Sequence, residues 1–210
     1  SATLGVQVNQ DIQPPLVDAG PTTTLSCSVS SLQLDGTASA SGSNYSYLWT
    51  TGNGVIVSGE TTLTPTVSLA GMYVLQVTDL INGCTSTASV QVMNDATAPL
   101  ASIAPPAILT CVTNQVTVDA SASTQTGNLT YVWTGPGIIS GQGTLQLGVN
   151  TPGTYLLQVT NNANGCTDDA TVVVNQDIVA PIAQAGTDVL INCFSPTGSL
   201  GSATNPSGAG

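Results

Sequence analysis

The chain has 210 residues, 11 acidic side chains and no Lys, Arg or His, giving a net charge of −11. Without cations it cannot displace counterions from a nucleic-acid backbone or attach electrostatically to an anionic membrane. It also lacks the His base of Ser or Cys catalysis, Schiff-base lysines, Arg phosphate clamps and His-ligated metals, so we expect no enzyme. At 41% hydrophobic residues it has enough apolar material for a packed core.

In chain order, the same landmarks return. Leu25-Ser26-Cys27, Leu109-Thr110-Cys111 and Ile191-Asn192-Cys193 are spaced by 84 and 82 residues. Asn82-Gly83-Cys84-Thr85 and Asn164-Gly165-Cys166-Thr167 are 82 apart, and Tyr47-x-Trp49-Thr50 and Tyr131-x-Trp133-Thr134 are 84 apart. Gly71-Met72-Tyr73-x-Leu75-Gln76-Val77-Thr78 matches Gly153-Thr154-Tyr155-x-Leu157-Gln158-Val159-Thr160. These coincidences define a tandem array with a unit of roughly 83 residues. Residues 1–11 read as the last strand of a preceding unit, 12–95 and 96–177 as complete units, and 178–210 as the start of a further one. A stretch of a longer periodic polymer is the expectation.

Within a unit, strand signals dominate. Tyr45, Tyr47 and Trp49 alternate with Ser46, Leu48 and Thr50; Tyr73, Leu75 and Val77 alternate with Val74, Gln76 and Thr78; Ala88, Val90 and Val92 alternate with Ser89, Gln91 and Met93. A period of two marks strands with one buried face. Turn signals separate them: Asp35-Gly36, Gly52-Asn53-Gly54, Asn82-Gly83 and Gly135-Pro136-Gly137. About seven short strands at this spacing predict an all-β fold, an antiparallel two-sheet sandwich repeated in tandem.

A sandwich this small gains from a covalent staple. Four cysteines permit three pairings, and repeat symmetry selects Cys27–Cys84 and Cys111–Cys166, one bridge inside each unit. Cys193 is left for a partner outside the sequence. Free thiols are the alternative. Bridges predict an oxidising compartment outside the cytoplasm.

Pro15-Leu16-Val17-Asp18-Ala19-Gly20, Leu34-Asp35-Gly36-Thr37-Ala38-Ser39, Tyr47-x-Trp49, Gly71-x-Tyr73 and Asn82-Gly83-Cys84 resemble the PKD-like and immunoglobulin-like repeats of large secreted surface proteins of Bacteroidota. The pattern departs from a strict PKD domain where Thr50-Thr51-Gly52 follows the Trp. The resemblance implies spacers, adhesins or fibre modules without catalysis.

The junction acids Asp11, Asp95 and Asp177 each stand four residues before a Pro. They read either as turn formers in a polar linker or as oxygen ligands for Ca²⁺ at a hinge. Asp35 and Asp119 read as turn formers. Asp168 and Asp169 are adjacent carboxylates, but neighbours on a strand face opposite ways, which does not suit a sugar-cleaving pair. Tyr47, Trp49, Tyr131 and Trp133 read as core rather than as a sugar-stacking platform. Tyr73 and Tyr155 suit a corner-bracing role. Asn44-Tyr45-Ser46 and Asn128-Leu129-Thr130 are glycosylation sequons at equivalent positions, in a chain about a quarter Ser and Thr.

The leading functional expectation is a structural repeat region of an extracellular bacterial fibre, filament or stalk: stiff, protease-resistant and glycosylated, with copies of itself or neighbouring repeats as partners. An adhesin contacting glycans or cells through loops such as 50–59 and 134–143 is the alternative, and a non-catalytic stalk of a secreted enzyme is a third reading.

Overall fold

Alternation along the sequence becomes alternation of burial. In a computed structural model of the chain, describing residues 6–180 and 190–198, strand β6 (Gly71–Asp79) buries Tyr73, Leu75 and Val77 and turns Met72 outward. It pairs antiparallel with β3 (Tyr45–Thr51) and with β7 (Thr85–Asp95), and β1 (Thr23–Ser26) lies on the far side of β7. A second sheet, β2 (Leu32–Gln33), β5 (Thr66–Leu69) and β4 (Val55–Ser58), covers the inner face. Leu34, Trp49, Val67, Tyr73, Leu75, Val77 and Val92 fill the space between them. Each fully buried aliphatic or aromatic side chain contributes roughly 1.5–3 kcal/mol relative to exposure.

The same arrangement returns downstream. β10 (Leu129–Thr134), β13 (Gly153–Asn161) and β14 (Thr167–Val174) form one sheet. It is prolonged past Asn175 by β15 (Gln176–Asp177), which pairs with β8 (Leu109–Thr110). β9 (Val116–Asp119), β12 (Gln146–Val149) and β11 (Ile138–Ser140) form the opposing sheet. Val118, Trp133, Leu147, Tyr155, Leu157 and Val159 make the second core. Among the described residues there is no helix.

The all-β sandwich expectation holds, with one refinement. β1 runs parallel to β7, with Thr23 opposite Val92 and Ser26 opposite Asp95, and β8 runs parallel to β15. A parallel pair needs a long crossover, and the strands between β1 and β7 supply it by passing through both sheets.

Residues 6–11, expected to end a preceding unit, make no strand pairing among the described residues. Residues 1–5 and most of 178–210, including Pro181, lie outside the described residues. Residues 190–198 include a tight turn closed by an Asn192–Ser195 bridge.

Candidate functional site at the junction of the two sandwiches

The parallel pairing of β1 with β7 decides where the cysteines stand. Cys27 follows Ser26, which sits beside Asp95 at the exit end of β7, whereas Cys84 precedes Thr85 at the entry end of the same strand. Eleven residues of strand separate those ends by roughly 35 Å at the usual rise. A disulfide requires Cα atoms within about 7 Å. Cys111, after Thr110 and beside Asp177, and Cys166, before Thr167, occupy opposite ends in the same way.

Both predicted bridges are therefore corrected. The structure joins Cys27 to Cys166, with Cα atoms 5.0 Å apart and a sequence separation of 139. The exit end of the first sandwich meets the entry end of the second, and the bond spans the junction. Cys84, Cys111 and Cys193 are free thiols in the chain.

Two local motifs build this joint. The first is the cysteine loop: Ser26 N–H donates to the Val29 carbonyl at 3.0 Å and Val29 N–H returns to Ser26, which makes Cys27 the tip of a tight turn. The second is the Asn-Gly-Cys turn. Asn164 Oδ1 accepts the Cys166 N–H at 3.0 Å, Gly165 N–H donates to Asn161, and Gly165 adopts φ +73°, a left-handed conformation that glycine takes without strain. Asn164 Nδ2 then reaches Asp95 Oδ1 and the Thr97 carbonyl, both at 3.0 Å, and so holds the linker against the turn. Ser28 N–H and Oγ both donate to the Asn164 carbonyl, at 3.1 and 3.2 Å. A side chain at position 165 would meet Ser28 Cβ at 2.6 Å, so glycine also permits the close approach of the two sandwiches.

The junction acids are held by amides. Asp95 Oδ1 takes hydrogen bonds from Asn164 Nδ2 and Thr97 N–H, and these hold its carboxyl below the usual aspartate value, Asn164 foremost. Asp11 Oδ1 accepts from Asn82 Nδ2 and Gln13 N–H, and Asp177 Oδ1 from Val179 N–H. Among the described residues no three carboxylates or thiols are gathered into a cluster that would hold a metal ion. Asp35 is held low by Thr37, hydroxyl first and backbone second, and Asp119 by Ser121, backbone first.

No model of a known protein family and no curated protein matches the chain. Solved structures are similar to it at low identity. An I-band fragment of titin is 15% identical with a TM-score of 0.41, over 80% of this chain and 67% of that one. The N-terminal eight immunoglobulin domains of Down Syndrome Cell Adhesion Molecule are 14% identical with a TM-score of 0.43, over 77% of this chain and 27% of that one. Drosophila N-cadherin EC1-4 is 10% identical with a TM-score of 0.37, over 79% of this chain and 50% of that one.

The remaining predicted residues fall as follows. Trp49 and Trp133 are buried, and their indole N–H groups donate to Thr62 and Thr144 carbonyls at 2.9 and 2.8 Å. Tyr47 and Tyr131 are half-buried, with hydroxyls donating to Ala40 and Thr124 carbonyls. The Tyr73 hydroxyl donates to Leu69 at 2.6 Å and accepts Val55 N–H at 2.9 Å. Tyr155 reaches the Pro136 and Thr151 carbonyls, and burial pushes its phenol up. These two tyrosines tie the loops within 50–59 and 134–143 to the core. Asp168 and Asp169 face opposite ways: Asp168 Oδ2 accepts Ala101 N–H while Asp169 is exposed. Asn44 and Asn128 are exposed just before β3 and β10.

Sequence reasoning missed Asn164, Thr97 and Ser28. The signal was present: Cys27 stands between serines and Cys84 and Cys166 follow Asn-Gly, contexts of loops rather than of buried strands.

Proposed function

We propose that this chain is a structural repeat region of an extracellular surface fibre or stalk, whose covalently stapled sandwiches set length and stiffness. The observation that carries the reading is the Cys27–Cys166 bond, which ties consecutive sandwiches to each other instead of stapling each to itself. A ligand-binding module needs its own fold held; a strut needs its joints held. Here the joint has a disulfide, an Asn-mediated clamp on the linker and a two-hydrogen-bond contact at Ser28.

A disulfide of this kind supports an oxidising location outside the cytoplasm. The resemblance to Bacteroidota surface repeats favours a bacterial one. The lack of Lys and Arg removes every tryptic site, and five and four acidic residues in 12–95 and 96–177 oppose compaction by like-charge repulsion at low salt. Exposed Asn44 and Asn128 are the positions at which glycans would be carried, and an intact mass equal to the bare 20.9 kDa would remove that part of the reading.

Electron microscopy of the native material tests the scaffold. A thin beaded or continuous filament supports it, and compact monomers at every concentration overturn it.

A further inference from the structure

The joint seen once in the chain is present a second time in halves. The Asn82-Gly83-Cys84 turn reproduces the Asn164-Gly165-Cys166 turn contact by contact. Asn82 Oδ1 accepts Cys84 N–H at 2.9 Å, Gly83 N–H donates to Asp79 at 2.9 Å, and Gly83 has φ +73°. Asn82 Nδ2 holds Asp11 Oδ1 and the Gln13 carbonyl, as Asn164 holds Asp95 and Thr97. One difference stands out: Gly165 is packed against Ser28, whereas nothing among the described residues lies within 4 Å of a Cβ at Gly83. Among the described residues the receptor half is formed and its cradle is open.

The other half is formed too. Thr110 N–H donates to the Thr113 carbonyl at 2.9 Å and Thr113 N–H to Thr110 Oγ1 at 2.9 Å, which gives Cys111 the same turn tip as Cys27. Cys111 is exposed, and Val112, which takes the place of Ser28, is 93% exposed. The chemistry of the two open halves matches. Leu80 and Ile81, beside the Gly83 cradle, are 60% and 72% exposed, where the occupied turn has Asn162 and Ala163. The polar loop Cys27-Ser28 is seated on the polar turn, and among the described residues the apolar loop Cys111-Val112 faces solvent and an apolar turn stands unfilled. Burying such apolar side chains against each other is favourable because it removes their surface from water.

We propose that the Cys84 turn is a docking site for the Cys111 loop of a second copy of this chain, closed by a Cys84–Cys111 disulfide. The inference rests on the joint geometry and does not depend on the scaffold reading. The step uses a small-molecule disulfide such as oxidised glutathione as oxidant. Cys84 thiolate attacks one sulfur, expels one thiol and leaves a mixed disulfide. The partner copy's Cys111 thiolate then attacks the Cys84 sulfur and expels the second thiol. One S–S bond breaks, one forms, and both protons leave on the released thiols.

The test is oxidation of an equal mixture of unlabelled and isotope-labelled chain in a glutathione buffer, followed by peptic digestion without reduction and mass spectrometry. Cys193→Ser is carried throughout, because the Cys193 loop has a similar turn. The expected product is a Cys84–Cys111 peptide pair, half of it mixed in isotope, and Asn82→Ala lowers its yield several-fold while Cys27–Cys166 stays intact. Any of three results overturns the proposal: Cys84 left alkylatable, Cys84 joined to Cys27 within one copy, or Cys84–Cys84 and Cys111–Cys111 pairs as abundant as Cys84–Cys111.

Discussion

Asn164 reaches across the junction to Asp95, with Nδ2 on Oδ1 at 3.0 Å, and this contact makes the joint sensitive to acid. The carboxyl of Asp95 is held below the ordinary value of 3.8 by Asn164 and Thr97. A carboxyl depressed on folding contributes stability that is present above its unfolded value and is lost as pH falls through the lower folded one. Asp35 and Asp119 shift in the same direction. The thermal midpoint is thus expected to stay level from neutral pH down to near the ordinary aspartate value and to fall below it. Asp95→Asn flattens that fall, as read by calorimetry from pH 7 downward; an unchanged slope contradicts the assignment.

Removing the bridge loosens the joint more than it weakens the sandwiches. Cys27→Ser leaves both cores untouched, because neither contains a bonded pair. On the chain-entropy account the 139-residue loop is worth roughly 5 kcal/mol if the sandwiches unfold together, and less if they unfold separately. Small-angle scattering is expected to broaden toward a hinge-like distribution while the circular dichroism of the strands persists.

Each core answers for its own sandwich. Leu157 is fully buried in the second core, and Leu157→Ala is expected to cost about 2–5 kcal/mol. The lowered transition should belong to the second sandwich alone, with the Trp49 fluorescence transition kept in place. Coincident loss of both would mean that the two cores fold as one.

Gly54 and Tyr73 form a second tight pairing. A Cβ at position 54 would lie 2.4 Å from the Tyr73 ring and hydroxyl. Gly54→Ala is expected to destabilise the first sandwich by about 1–3 kcal/mol through overpacking. Tyr73→Phe leaves Val55 N–H without its acceptor and costs about 1–3 kcal/mol. Denaturant unfolding of each variant checks both figures.

Much of the sandwich was legible because burial follows alternation. Tyr73, Leu75 and Val77 carry a period of two in the sequence and sit with their faces inward in the fold. The joint was not legible by the same route. Repeat symmetry permits a bond within a unit or between a unit and the next, and the choice depends on the parallel pairing of Thr23–Ser26 with Val92–Asp95. Strand direction at a sheet edge leaves no periodic trace, so the symmetry argument selected the wrong pair. Likewise, Asn164 looks like any Asn-Gly turn until the linker carrying Asp95 and Thr97 is brought beside it.

The position of the Cys27–Cys166 bond also sets how a pulled chain would yield. Tension applied at the two termini crosses from residue 27 to residue 166 through sulfur, so the polypeptide enclosed between them carries none of it. Enclosed in this way is a sequence separation of 139, about 480 Å of contour at full extension, which no force can draw out until that single covalent link is cut. Reductant, rather than load, is then the agent that releases the enclosed length.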